Sequence, residues 1–140
     1  MAANNQFSIA VHLMAGLGFG GCKVDTTSAY LAKSVNTSPS FIRRTLAKLS
    51  KAGLIETAKG KNGFCRLAQT SDKISLLDIY EAVDAPKVFS IHHYEAQQPC
   101  AVSCNIKAVL EKVLTKTQKA MEKSLAETTL ADLITDLKKS

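Results

Sequence analysis

The stretch from Ser38 to Ile55, SPSFIRRTLAKLSKAGLI, constrains this chain more than any other. Ser38 is a good helix N-cap. Pro39 fits the first helical position, where no amide hydrogen is needed. Gly53 fits the residue just past the helix end, with Leu54 free to pack back. At 100° per residue, Ile42, Leu46 and Leu49 fall on one stripe, and Ser40, Arg44, Ala47 and Lys51 fall opposite it. Arg43 and Lys48 flank the outer side. The segment therefore predicts a helix with one side in a core. Its other side carries cations and no acid, whereas ordinary surface helices mix signs to gain i,i+4 ion pairs.

The flanking segments give that helix a context. Asn5 to Leu17 reads as a first helix that stops at the glycine cluster 16–21. Thr26 to Val35 reads as a short second helix with a hydroxyl cap, and Asn36-Thr37 as a turn. After the basic helix, Leu54–Ala58 and Phe64–Ala68 read as two short strands. Lys59-Gly-Lys-Asn-Gly63 joins them as a hairpin with two lysines at its tip. Ile74–Asp84 reads as a fourth helix with Ser75 as cap. Helix, turn, capped basic helix and basic hairpin, in that order, spell a winged helix-turn-helix, whose second helix enters the major groove of DNA.

Charge supports the same division. Residues 1–70 hold nine Lys/Arg and two acids, a net +7, while residues 71–140 hold nine Lys and ten acids, a net −1. The first half suits a polyanion. The residues expected at DNA are Ser28, Ser38, Ser40, Arg43, Arg44, Lys48 and Lys51, with Lys59 and Lys61 on the wing. Arg43 and Arg44 can pair bidentately with guanine or phosphate, and the lysines mostly neutralise backbone. A solvated basic face, or a face that meets an acidic protein, is the blander alternative.

The second half looks built for assembly and sensing. From Asn105 to about Leu125, apolar residues from Ile106 to Leu125 line one face at near-heptad spacing. About twenty residues make a helix ~30 Å long, more than a small winged helix needs for itself. It either covers the domain's own core or pairs with a second copy, and a twofold dimer would set two reading helices about one DNA turn apart. Thr128-Thr129 caps a last short helix. The expected organisation is residues 1–84 for DNA binding, 85–104 as a linker and sensor loop, and 105–140 for the dimerisation helix and C-terminal helix.

Cys100 and Cys104 form C-x₃-C, with His92 and His93 upstream. Three readings stand side by side: a thiol redox switch in which Cys100 pairs with Cys104 or Cys22, a metal or iron–sulfur site, or small hydrophobes at a loop–helix junction. Cys65 alternates with Leu67 on one strand face and reads as packing. No phosphate loop, nucleotide fingerprint or usefully spaced acid pair points to an enzyme. No apolar run approaches the ~18 residues of a membrane span. The start lacks a signal peptide's charged flank, so a cytoplasmic protein is expected, with neither membrane partner nor secreted disulfide framework.

Ser28-Ala-Tyr-Leu-Ala32, Phe41 to Ile55, the wing from Lys59 to Leu67, Ile74 to Val83 and Thr128 to Leu133 together resemble the Rrf-two family of bacterial winged-helix transcription regulators. The resemblance implies a mainly α fold with a small β-hairpin wing, a homodimer crossed through long C-terminal helices, and repression at a double-stranded DNA operator. Cluster-binding members carry three cysteines around the start of the dimer helix, and this region has only Cys100 and Cys104. Gln98 to Ile106 is more similar to the clusterless subgroup, with Cys100 as the family-like cysteine. The expectation is thus a thiol-sensing regulator without a cofactor. An iron–sulfur or metal-bound regulator, or one answering a small organic effector, is the alternative.

Overall fold

The computed structural model describes residues 5–20, 26–58 and 64–140. In chain order these form α1 (Gln6–Gly18), α2 (Ser28–Val35), α3 (Pro39–Lys51), β1 (Ile55–Ala58), β2 (Phe64–Leu67), a 3₁₀ turn at Ser71–Lys73, α4 (Leu76–Ala82), α5 (Ala101–Glu127) and α6 (Leu130–Lys138). They divide into two compact units. One runs to Ala85 and resumes at Leu125–Ser140; the other is Pro86–Ser124.

The first unit is built around α1. Ala10, Leu13, Met14 and Leu17 are buried, and the helix touches α2, α3, α4, β2 and α6. The helix ends at Gly18, inside the glycine cluster where the sequence suggested. Gly16 and Gly18 are themselves helical, and they also serve as close-approach points. A Cβ on Gly18 would stand 2.6 Å from Ile134 Cδ1 and 3.1 Å from Leu67 Cδ1. Packing gained against α6 and β2 offsets glycine's helix penalty of about 1 kcal/mol.

Local chemistry fixes the helix-turn-helix. Thr27 Oγ1 accepts the Tyr30 amide at 3.1 Å and starts α2. Asn36 ends it in the left-handed region (φ 66°), which asparagine tolerates better than most residues. Ser38 Oγ then accepts the Phe41 amide at 3.4 Å, with Pro39 at the start of α3. At the far end Gly53 takes φ +79°, Gly53 N–H reaches Ser50 O (3.0 Å) and Leu54 N–H reaches Leu49 O (3.1 Å). This is a Schellman closure, and it turns the chain directly into the wing.

β1 and β2 pair antiparallel in the register Ile55↔Leu67 to Ala58↔Phe64. Cys65 and Leu67 point into the core. Thr26 adds a third rung by exchanging both backbone hydrogen bonds with Cys65, at 2.8 and 2.6 Å. Thr26 therefore belongs to the sheet's edge, and α2 begins two residues later than its sequence suggested.

The last helix returns to this unit. Ser75 and Asp78 form one capping box, and Thr129 and Asp132 another. The two caps are stitched together: Leu76 N–H donates to Thr128 O (2.9 Å) and Leu130 N–H to Ile74 O (2.8 Å). Leu130 and Ile134 are buried. The sequence grouped this helix with the dimerisation helix; by packing it belongs with the helix-turn-helix. A short amphipathic helix must bury its stripe somewhere, and α1 with its glycine notch supplies the place.

In the second unit α5 starts at Ala101, four residues before the expected Asn105. Its 27 residues give about 40 Å at 1.5 Å rise per residue, and none of them is buried. Ile106, Leu110, Leu114, Met121 and Leu125 are half-covered, while Val102, Val109 and Val113 stand exposed. The irregular segment after Pro86 is tied to α5. Val88 N–H donates to Gln118 Oε1 (3.1 Å), Lys107 Nζ to Tyr94 O, and Gln97 N–H to Ser103 Oγ (2.7 Å). Among the described residues, no helix is long and apolar enough to cross a membrane.

Candidate nucleic-acid interface and thiol site

The face of α3 that the sequence left acid-free points outward. Ile42, Thr45, Leu46 and Leu49 are buried, and Ser40, Arg43, Arg44, Ala47 and Lys51 are exposed. Lys48 is half-buried at the edge. Had this face turned inward, a groove-binding role would have been excluded.

Two residues that the sequence did not single out shape the face. Thr45 is a buried polar side chain in the stripe, and its hydroxyl donates to Phe41 O at 3.2 Å. That bond satisfies a group that would otherwise be costly to desolvate. Phe41 underlies Arg44, whose guanidinium carbon lies 5.7 Å from the ring centroid. A cation over an exposed aromatic gains about 0.5–1 kcal/mol, enough to bias a rotamer but not to immobilise the arginine. The ring thus biases Arg44 toward its own face.

The predicted residues do not all share one role. Ser38 has its oxygen engaged as the α3 cap and lies 3.4 Å from Ser40 Oγ. The amide end of α3 and the two hydroxyls together face outward at the helix start, an arrangement that suits a phosphate oxygen. Ser28 opens α2 and is half-buried. Lys59 and Lys61 at the wing tip, and Cys22, lie outside the described residues. The wing adds an element the sequence did not flag. Arg66 Nε bonds Glu56 Oε2 at 2.9 Å across the strands, and its guanidinium covers the Phe64 ring at 4.9 Å. The Ile55↔Leu67 register sets this cross-strand pair, so no local pattern could have revealed it.

In the second unit, Cys100 is the residue just before α5. Its Sγ accepts the Ser103 amide at 3.4 Å, and its carbonyl accepts the Cys104 amide at 3.0 Å. Cysteine thus acts as the helix cap, one turn from Cys104, and both thiols are free and exposed. His92 and His93 are exposed too, with His92 6.2 Å from the Tyr94 ring. Among the described residues no three His, Cys, Asp or Glu side chains gather to hold a metal ion. Cys65 is buried on β2, and burial pushes its thiol pKa up. It has the inert character of a packing cysteine.

Comparison with known proteins agrees with this architecture. The sequence model of the Rrf2 family, described as "Iron-dependent Transcriptional regulator", matches residues 3–136. YwnA of Bacillus subtilis (strain 168), named as an HTH-type transcriptional regulator, is 30% identical over 134 residues, spanning 96% of this chain and 98% of YwnA. A crystal structure named as a transcriptional regulator from Lactobacillus plantarum superposes with a TM-score of 0.81 at 27% identity, covering 96% of this chain and 90% of the other. CymR of B. subtilis shares the fold at a TM-score of 0.70 and 20% identity, covering 96% and 97%. With its winged helix-turn-helix and long helix in the family's order, this chain belongs to the Rrf2 family of transcriptional regulators.

Proposed function

We propose that the protein is a homodimeric, cytoplasmic repressor that reads a near-palindromic operator with α3 and answers oxidants through Cys100. The observation that carries the DNA reading is the outward, acid-free surface of α3, with Arg44 held over Phe41. Ser40, Arg43 and Arg44 meet base edges or nearby phosphates, and Lys48 and Lys51 neutralise backbone. The α5 helix supports pairing: it buries no residue in one chain and leaves Val102, Val109 and Val113 exposed on one stripe about 17 Å long. A second copy of α5 is the natural cover for such a stripe.

Thiol sensing rests on the cap. A Cys100 thiolate attacks a peroxide oxygen, the O–O bond breaks, and sulfenic acid and hydroxide form. Attack by the Cys104 thiol then gives a disulfide and releases water. The two sulfurs lose two electrons and the peroxide gains them. Either product changes the sulfur that accepts the Ser103 amide and so disturbs the first turn of the pairing helix. The family's description names iron, but two cysteines one turn apart do not make a metal-ligand set among the described residues, so no step runs through iron.

Gel-shift titration with a genomically selected operator, with and without hydrogen peroxide, tests the sensor. Wild type should lose affinity on oxidation. Cys100→Ser keeps a capping oxygen and should keep DNA binding while losing the response. An unchanged response in the variant would remove Cys100 as the sensor.

A further inference from the structure

The first turn of α5 is closed by a ring of hydrogen bonds. Ser103 N–H donates to Cys100 Sγ (3.4 Å), Cys100 N–H donates to Gln97 O (3.0 Å), and Gln97 N–H donates to Ser103 Oγ (2.7 Å). Ser103 enters the ring twice, through its amide and through its hydroxyl. Gln97 is gripped by both its N–H and its C=O.

The same device elsewhere in the chain is self-contained. In the capping boxes of α4 and α6 the third helical residue, Asp78 or Asp132, reaches back to the amide of the cap residue itself, Ser75 or Thr129. In α5 the third residue is Ser103, and its hydroxyl meets Gln97, three residues before the cap. The cap amide then takes the Gln97 carbonyl. The start of α5 therefore holds the incoming segment, where α4 and α6 hold only themselves. Its cap is also a thiol, whereas the side chains that cap α2, α3, α4 and α6 are the hydroxyls of Thr27, Ser38, Ser75 and Thr129. Of these five caps, peroxide chemistry reaches only the sulfur.

We infer that Ser103 is a positioning residue of the thiol site, coupling the state of the Cys100 sulfur to the hold on Gln97. The inference deepens, and rests on, the reading of Cys100 as the sensor. In the reduced chain the sulfur anchors the Ser103 amide, and the anchored residue aims its hydroxyl at Gln97. Thiol sulfur is a weak acceptor, so this anchor is easily lost. An oxygen or a second sulfur bonded to Sγ occupies a lone pair and adds an atom beside the amide. Ser103 then loses its partner and its aim, and Gln97 is released on its N–H side. Two other ties of the segment, Lys107 Nζ to Tyr94 O and Val88 N–H to Gln118 Oε1, do not pass through the sulfur. The release is therefore confined to the end beside Cys100.

Amide exchange of the full chain without DNA, followed by heteronuclear NMR, tests the coupling. Peroxide treatment, with Cys100 oxidation counted by mass spectrometry, should speed exchange at Gln97 roughly two- to tenfold, the worth of one such hydrogen bond, and leave Val88 unchanged. Cys100→Ala removes the sulfur without any oxidant and should do the same, whereas Cys100→Ser keeps an acceptor and should not. Ser103→Ala should free Gln97 too, and adding Cys100→Ala to it should change Gln97 no further, because both act through one chain of bonds. Ser103→Thr restores the hydroxyl and should restore protection. Additive effects of the two alanine variants, or equal acceleration at Val88, would overturn the inference. A Gln97 amide still protected after Cys100 is fully oxidised would overturn it and leave the sensor standing. A Cys100 that resists peroxide would refute the sensor instead, and the alanine variants would still decide the coupling.

Discussion

Lys51→Ala gives a direct measure of both the DNA contact and the pairing of two chains. Lys51 is exposed in the last turn of α3, on the same face as Arg44. A lysine contacting phosphate displaces about one counterion, and each contact steepens the plot of log affinity against log salt by about 0.9. A dimer carries the residue twice, so the variant should flatten the slope by about 1.8, against about 0.9 for a monomer. Between roughly 50 and 200 mM salt, that difference shrinks the wild type's advantage about twelvefold for a dimer and about 3.5-fold for a monomer. Fluorescence anisotropy on a selected operator fragment, repeated at four salt concentrations, provides the slopes. An unchanged slope would refute the placement of Lys51 at the backbone. A change near 0.9 would refute the symmetric complex and leave the contact in place.

Arg44→Ala should behave differently, losing about 1–3 kcal/mol on the operator and relaxing specificity at one position if it reads a base. Equal losses on every sequence, measured by competition with random DNA, would make it a phosphate contact. Leu130→Ala removes a fully buried side chain and should cost about 2–5 kcal/mol in urea unfolding of the unit that carries α3. Gly53→Ala should cost about 1–2 kcal/mol, all of it backbone strain, because a Cβ there meets nothing within 4 Å. Cys65 has a raised folded pKa, so its contribution is full below the ordinary thiol pKa of about 8.5 and declines as pH climbs beyond it. Chemical unfolding from pH 7 to 10 should therefore show wild type losing more stability than Cys65→Ala.

What could be read in advance was whatever is encoded locally. Ser38, Pro39 and Gly53 delimit α3 through interactions with their own neighbours, and the three-to-four spacing of Ile42, Leu46 and Leu49 separates its faces. The start of α5 was misplaced because a thiol caps it, and cysteine carries none of the cap preference of Ser, Thr, Asp or Asn. Gly18 does mark the end of α1, but its second purpose, a close approach, depends on Ile134 far along the chain and could not be read locally. Of the interface, the cations were legible from composition and spacing. Phe41 beneath Arg44 follows the i,i+3 rule and was available to inspection.

The stitch between Ile74 and Leu130 also bears on how the chain matures as it is made. The unit that carries α3 lacks two of its core side chains, Leu130 and Ile134, until the segment after α5 has left the ribosome. The long helix α5, whose pairing with a second copy is proposed above, emerges first. If α5 pairs two copies as proposed, nascent chains meet before the core around α1 is complete, and removing residues 129–140 would unsettle that core while sparing α5.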